Sequence, residues 1–166
     1  MRWFGKIERN PAEPLYSDAV AFARDTRWYR QAGVPDTMDG RYCVLATLLA
    51  LADLALGARG PEGRALSPRL TELFVADMDA QLCQSGMGDP TLGKTVRAMV
   101  AGVSARIARL ERAIASAADQ DWRSALALAL FRDDLPGEER MALARALIDE
   151  WRAILEEPGR LPAAAE

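Results

Sequence analysis

The residue types and spacing that most resemble a chemical site lie at residues 88–95, which read Gly-Asp-Pro-Thr-Leu-Gly-Lys-Thr. They match G-x-x-x-x-G-K-[ST], the loop in which a lysine and the backbone N–H groups of a helix N-terminus hold nucleotide phosphates. A working loop of this kind follows a buried strand. The preceding apolar residues Leu70, Phe74, Met78 and Leu82 instead recur every four positions, which is typical of one helix face. The context therefore argues against a nucleotide-binding site.

A nucleotide site would also need a carboxylate that holds magnesium at the end of a second strand. Asp149 and Glu150 follow an apolar run, but Leu147, Ile148 and Trp151 repeat at helical spacing. The two acidic residues then lie mostly on the solvent side of a helix. We therefore expect no bound nucleotide.

Other catalytic arrangements find little support. The chain has no histidine, which is the commonest general base and metal ligand. Asp77 and Asp79 are two residues apart, so on a helix they face different directions and do not form a metal site together. Cys43 and Cys83 fall in helical patterns, which favours reduced thiols over a disulfide. We predict no catalytic residue, no metal and no cofactor, and hence no enzyme.

The composition is that of one soluble domain. The chain has 166 residues, of which 50% are apolar, and a formal net charge of −3, so charge gives no reason to expect nucleic-acid binding. The N-terminal residues lack the apolar core of a signal peptide, and the longest apolar run is too short to span a bilayer. We therefore expect a cytoplasmic protein.

Apolar residues recur at helical spacing along most of the chain, which predicts an all-α, single-domain bundle of about six helices. This domain covers residues 14–156, between a flexible N-terminal stub at residues 1–13 and a frayed C-terminal tail at residues 157–166. A loop is expected at residues 57–63. The predicted helices span about 15–33, 39–57, 68–84, 89–118, 121–133 and 138–156.

Asp77 falls within the apolar stripe of the third predicted helix, whereas Asp79 lies at the edge of that stripe. A buried carboxylate is unfavourable unless it is paired or hydrogen-bonded. We therefore predict that Asp77 has an arginine or a backbone donor as its partner, with Arg41 as the first choice.

Three stretches of the chain carry a resemblance to a known family. Residues 28–42 contain Gly-Val-Pro-Asp-Thr-Met-Asp-Gly-Arg-Tyr, residues 74–82 read Phe-Val-Ala-Asp-Met-Asp-Ala-Gln-Leu, and residues 86–99 begin Gly-Met-Gly-Asp and continue to Gly-Lys-Thr-Val-Arg-Ala-Met. In this order and with these gaps, the chain resembles the ubiquinol–cytochrome c chaperone family from Leu15 to about Leu130.

The resemblance implies a helical, non-enzymatic assembly factor for the cytochrome bc1 complex. Mitochondrial members bind newly made cytochrome b at the ribosome and then at the membrane. A bacterial relative is therefore expected to bind an unassembled cytochrome b-like subunit, peripherally at the inner face of the plasma membrane. The alternative is a helical adaptor for a different client protein, and a nucleotide-binding protein is the least favoured interpretation.

Polar positions that match the family pattern are the candidate partner-binding residues. Two of them, Asp39 and Asp89, lie at helix starts, where carboxylates stabilise free N–H groups, so capping is their alternative role. Lys94 is expected to face solvent, and on this resemblance Thr95 completes the phosphate-loop pattern by chance. The candidates are Asp36, Asp39, Arg41, Asp79, Asp89 and Lys94.

Overall fold

A computed structural model describes residues 10–86, 89–132 and 134–162. Within these ranges the chain is all-α, which confirms the predicted fold class. Six helices have at least 11 residues, and one further helix, between the first and second of these, has four residues. The helices are α1 Glu13–Ala23, α2 Arg27–Arg30, α3 Met38–Gly57, α4 Gly60–Gln84, α5 Asp89–Ser116, α6 Asp119–Leu130 and α7 Glu138–Leu155.

Helix α3 is the centre of the bundle and packs against α1, α4, α5, α6 and α7. Its residues are apolar on nearly all sides, as expected for a helix that is surrounded by others. The helix begins after Thr37, whose side-chain oxygen accepts a hydrogen bond from the backbone N–H of Gly40 at 3.1 Å. The buried indole of Trp151 in α7 donates to the carbonyl of Leu48 at 3.0 Å, which fixes α7 against this central helix.

The first predicted helix is wrong as a single element, because the chain breaks between α1 and α2. The carboxylate of Asp25 accepts a hydrogen bond from the backbone N–H of Arg27 at 2.9 Å and so starts a new turn there. Side chains from α2 return to the end of α1: Trp28 donates to the carbonyl of Phe22 at 3.0 Å, and Tyr29 donates to that of Ala23 at 2.6 Å. The break therefore leaves the last carbonyls of α1 satisfied.

The loop predicted at residues 57–63 is wrong, because α4 already begins at Gly60. Gly60 completes the turn after α3 with a φ of +79°, a conformation that favours glycine. Pro61 lies in the first turn of α4, where its missing N–H group has no helical partner to lose. Pro68, which the sequence suggests as a helix start, lies inside the helix.

The chain after α7 returns to the bundle. Leu161 is buried in the core, and the guanidinium of Arg160 pairs with the carboxylates of Asp18 and Glu157. Residues 163–166 of the predicted tail and residues 1–9 of the predicted stub lie outside the described ranges.

The phosphate-loop pattern follows a helix and a turn rather than a strand, as its sequence context predicts. Helix α4 precedes the turn, and α5 begins at Asp89. The hydroxyl of Thr95 donates to the carbonyl of Thr91 at 2.9 Å within α5, and Lys94 is exposed. Gly88 lies outside the described residues, and the other residues of the pattern, 89–95, lie in α5.

Candidate functional site

An open groove of about 630 Å³ lies between the C-terminal halves of α1 and α4, next to the first turns of α3. Its floor is built from buried, mainly apolar side chains, and its rim from exposed polar ones. The lining residues are Val20, Ala23, Arg24, Thr26, Tyr29, Asp36, Thr37, Met38, Arg41, Tyr42, Leu45, Asp77, Met78, Ala80, Gln81, Leu82, Gln84 and Met99.

Tyr42 joins the floor of this groove to α5. Its hydroxyl donates to the carbonyl of Met99 at 2.8 Å, and burial raises the pKa of this phenol, which keeps it a donor. A Cβ atom on Gly102 would lie 2.2 Å from the Tyr42 hydroxyl. Glycine at position 102 therefore allows α5 to approach Tyr42 closely enough for the hydrogen bond.

The buried side chain of Arg106 packs against the ring of Tyr42. The guanidinium carbon of Arg106 lies 5.3 Å from the centre of the Tyr42 ring, and its Nη2 donates to the carbonyl of Ala129 at 2.8 Å. That carbonyl belongs to the last turn of α6, where helix carbonyls carry partial negative charge. Nη2 also lies 3.3 Å from the thiol of Cys43. Arg106 thus ties α3, α5 and α6 together beside the groove.

Arg106 is not among the residues that we predicted from the sequence, although the sequence carries a signal for it. Arg106 comes three residues after Val103 and four residues before Leu110, so helical spacing alone puts it on the apolar face of α5.

Asp77 lies in the wall of the groove and does not contact the predicted partner, Arg41. Its Oδ2 accepts a hydrogen bond from the hydroxyl of Tyr16 at 2.7 Å, and its Oδ1 accepts one from the side-chain amide of Gln81 at 3.0 Å. Burial, together with this carboxylate, raises the pKa of Tyr16 well above its usual range, so the phenol remains a donor. The prediction of an arginine or backbone donor is therefore wrong, because a tyrosine on α1 and a glutamine one turn along α4 satisfy the carboxylate.

Asp36 and Arg41 form an ion pair on the rim. Arg41 Nε donates to Asp36 Oδ1 at 2.8 Å, and the guanidinium carbon lies 5.8 Å from the centre of the Tyr29 ring. The turn that carries Asp36 is tight, since a Cβ atom on Gly40 would lie 1.9 Å from the carbonyl oxygen of Pro35. Both side chains of the pair are mostly exposed, so the pair itself adds little stability.

The remaining candidates lie elsewhere. Asp39 is in the first turn of α3 and pairs with Arg132, which follows α6, while Thr37 provides the cap at the start of α3. Asp79 and Lys94 are exposed and do not line the groove. Asp89 is the first residue of α5, and its side chain is not among those described.

Three methionine side chains line the groove. Its floor contains Met78 and Met99, and its rim contains Met38, whose side chain is 54% exposed. Methionine side chains adapt to partners of different shape because they are flexible and polarizable. No three histidine, cysteine or acidic side chains within the described ranges lie close enough together to share a metal ion.

One described helix, α3, is long and apolar enough to cross a membrane by length and composition, but most of it is buried inside the bundle. Such burial is what a central core helix requires, and it accounts for the apolar sequence of α3.

A family model with the description "Ubiquinol-cytochrome C chaperone" matches residues 30–165. Among solved structures, the chain is similar to the Cbp3 homolog from Brucella abortus, with a TM-score of 0.74 and 25% sequence identity over 93% of this chain and 88% of that one. No curated protein matches the chain. The family match covers most of the bundle, and the chain belongs to the ubiquinol–cytochrome c chaperone family.

Proposed function

We propose that this protein is a non-enzymatic assembly chaperone that binds a newly made, cytochrome b-like membrane subunit during biogenesis of the cytochrome bc1 complex. Membership of the ubiquinol–cytochrome c chaperone family supports the assembly role. In this proposal the client is bound before assembly, at the inner face of the membrane or at the ribosome.

The positions of the three family-like stretches support the groove as the client-binding surface. All three stretches that resemble the family pattern contribute to its lining: residues 28–42 through Tyr29, Arg41 and Tyr42, residues 74–82 through Met78, and residues 86–99 through Met99. These stretches are far apart in the chain, and the bundle brings them to one surface. A shared surface gives a common reason for the three resemblances.

The surface suits an apolar client segment. Val20, Met38 and Met99 keep part of their apolar surface exposed in the groove, so a segment that binds there removes apolar area from water. Asp36 and Arg41 on the rim are the candidate residues that can contact the polar flanks of such a segment. Rim charges of this kind contribute more to orientation and association rate than to affinity.

Deletion of the gene tests this function. We expect less assembled bc1 complex on native gels and a weaker cytochrome b signal in reduced-minus-oxidised spectra, both restored by the wild-type gene. Met38→Glu should restore them poorly, because it places a charge in the groove. Leu135→Glu serves as the matched control, since Leu135 is 66% exposed and does not line the groove.

Normal amounts of assembled complex and cytochrome b haem in the deletion strain would contradict the proposal. If the tagged protein instead recovers a different stoichiometric partner from solubilised membranes, the family fold serves another client in this organism.

A further inference from the structure

We infer that Asp77 is the point in the groove that binds a basic side chain, a lysine or arginine carried at the end of an apolar segment of the client. This inference rests on the proposed function and names the chemistry that the groove recognises. The contacts that carry it are those of Asp77 and of the apolar side chains beside it.

Neither hydrogen-bond partner of the Asp77 carboxylate carries a positive charge. Tyr16 and Gln81 each donate one hydrogen bond, and both are neutral. A carboxylate offers about four acceptor sites, so further donors can be accommodated. Across residues 10–86, 89–132 and 134–162, no basic side chain forms an ion pair with Asp77, and Arg41, the cation expected to do so, pairs with Asp36.

The two neutral partners also hold the carboxylate in place. Tyr16 is buried on α1, and Gln81 is one turn further along α4, so each oxygen of Asp77 is fixed by a different element. Because the carboxylate is already oriented, an incoming cation does not have to order it.

The surroundings of Asp77 select for a cation on an apolar segment rather than for a free ion. Met38, Met78, Leu82 and Met99 line the same groove as Asp77. A purely apolar segment would remove water from Asp77 without replacing its hydrogen bonds, which is unfavourable. A segment with one lysine or arginine at the right position makes a charge-assisted hydrogen bond there.

The other charges in the groove do not reproduce this environment. Arg24 directly follows the last residue of α1 and is eight residues after Tyr16, which puts it about 12 Å further along the helix axis. Asp36 is on the rim and already has a cationic partner. Apolar segments that end in basic residues are characteristic of the cytoplasmic ends of transmembrane helices. The groove thus fits the end of such a helix, with its cation at the Asp77 end.

A peptide pair tests this inference. Each peptide is an alanine–leucine helix of about fifteen residues with a fluorophore, and the two differ only in a terminal lysine or glutamine. We expect the wild-type protein to bind the lysine peptide about tenfold more tightly, as for one charge-assisted hydrogen bond. Asp77→Asn should remove this preference, because asparagine keeps the shape and the bond from Tyr16 but not the charge.

Glu72→Gln is the matched control, since it removes one carboxylate charge from the same helix at an exposed position outside the groove. It should keep the tenfold preference. Equal binding of both peptides by the wild-type protein, absence of binding, or a preference that survives Asp77→Asn would each overturn the inference. The wild-type protein distinguishes the two peptides without any substitution, so this comparison tests the inference even if a variant fails to fold. The deletion phenotype does not depend on these peptides and tests the chaperone function separately.

Discussion

The hydroxyl of Tyr16 donates a hydrogen bond to Oδ2 of Asp77 over 2.7 Å and so joins the first helix to the fourth beside the groove. The two residues are 61 positions apart in the chain. The hydrogen bond can therefore form only when α1 and α4 pack together as the walls of the groove.

Tyr16→Phe should lower the free energy of unfolding by about 2 kcal/mol, because it removes a part-buried hydrogen bond to a carboxylate. Tyr29→Phe is the comparison, since Tyr29 donates to a neutral carbonyl, that of Ala23, and its loss should be nearer 1 kcal/mol. Urea unfolding measures both values. An equal or larger effect of Tyr29→Phe would show that the bond to Asp77 has no special weight.

Two glycines of α5 should respond to alanine in opposite directions. Gly102→Ala should lower the free energy of unfolding by about 1–3 kcal/mol, because its Cβ atom would lie 2.2 Å from the Tyr42 hydroxyl. Gly93→Ala should raise it by about 0.5–1 kcal/mol, since alanine favours helix and the nearest atom to its Cβ is an arginine tip at 3.6 Å. Thermal and urea unfolding decide the signs. Two stabilised variants would mean that Tyr42 does not need this close approach.

Arg106→Lys should destabilise the bundle by about 2–3 kcal/mol. Lysine cannot reproduce the planar arrangement in which Arg106 donates to the carbonyls of Gly102 and Ala129. Arg97→Lys is the matched control, because Arg97 is exposed on the same helix, and its change should be within about 0.5 kcal/mol. Similar stabilities of the two variants would mean that the hydrogen bonds of Arg106 do not hold α5 against α6.

Stability should fall in acid partly through the contacts of Arg27. The guanidinium of Arg27 lowers the pKa of Asp25 and of Glu150 below their ordinary values of 3.8 and 4.5. Carboxyls whose pKa is lower in the folded state stabilise it above the unfolded pKa, and this contribution is lost as the pH falls through the folded pKa. The contribution of Glu150 is present at neutral pH, begins to fall near pH 4.5 and is lost at lower pH as the folded carboxyl becomes protonated.

Glu150→Gln should therefore be less stable than the wild type at pH 7, and this difference should be smaller at pH 3. The difference at pH 7 should be at most about 1 kcal/mol, because the Arg27 and Glu150 side chains are 40% and 43% exposed. Urea unfolding at the two pH values measures it. A difference that is equally large at pH 3 would assign the effect to packing rather than to charge.

The apolar periodicity of the chain was enough to predict the all-α bundle, because core faces and helix spacing are local properties of the sequence. The break at Asp25 and the start of α4 at Gly60 were not predicted. Both depend on non-local or backbone features: the carbonyls of α1 are satisfied by Trp28 and Tyr29, and Gly60 adopts a positive φ.

The contacts in the groove could likewise be predicted only in part from the sequence. The resemblance pointed to Asp36 and Arg41, which lie on the rim, but it gave no reason to bring Tyr16 to Asp77. Asp77 could be recognised from the helical wheel as a carboxylate that needs a partner. Which residue provides the bond is decided by the packing of α1 on α4, and sequence spacing does not contain that information.

Site-specific photo-crosslinking in cells shows directly whether the client binds in the groove. A photoreactive amino acid is placed at Met38 in the groove or at Leu135, a more exposed apolar position outside it, and cells are irradiated during synthesis of the bc1 complex. We predict that the Met38 variant captures the cytochrome b-like subunit and that the Leu135 variant does not. Capture of a different protein at Met38, or equal capture of cytochrome b from both positions, would contradict it.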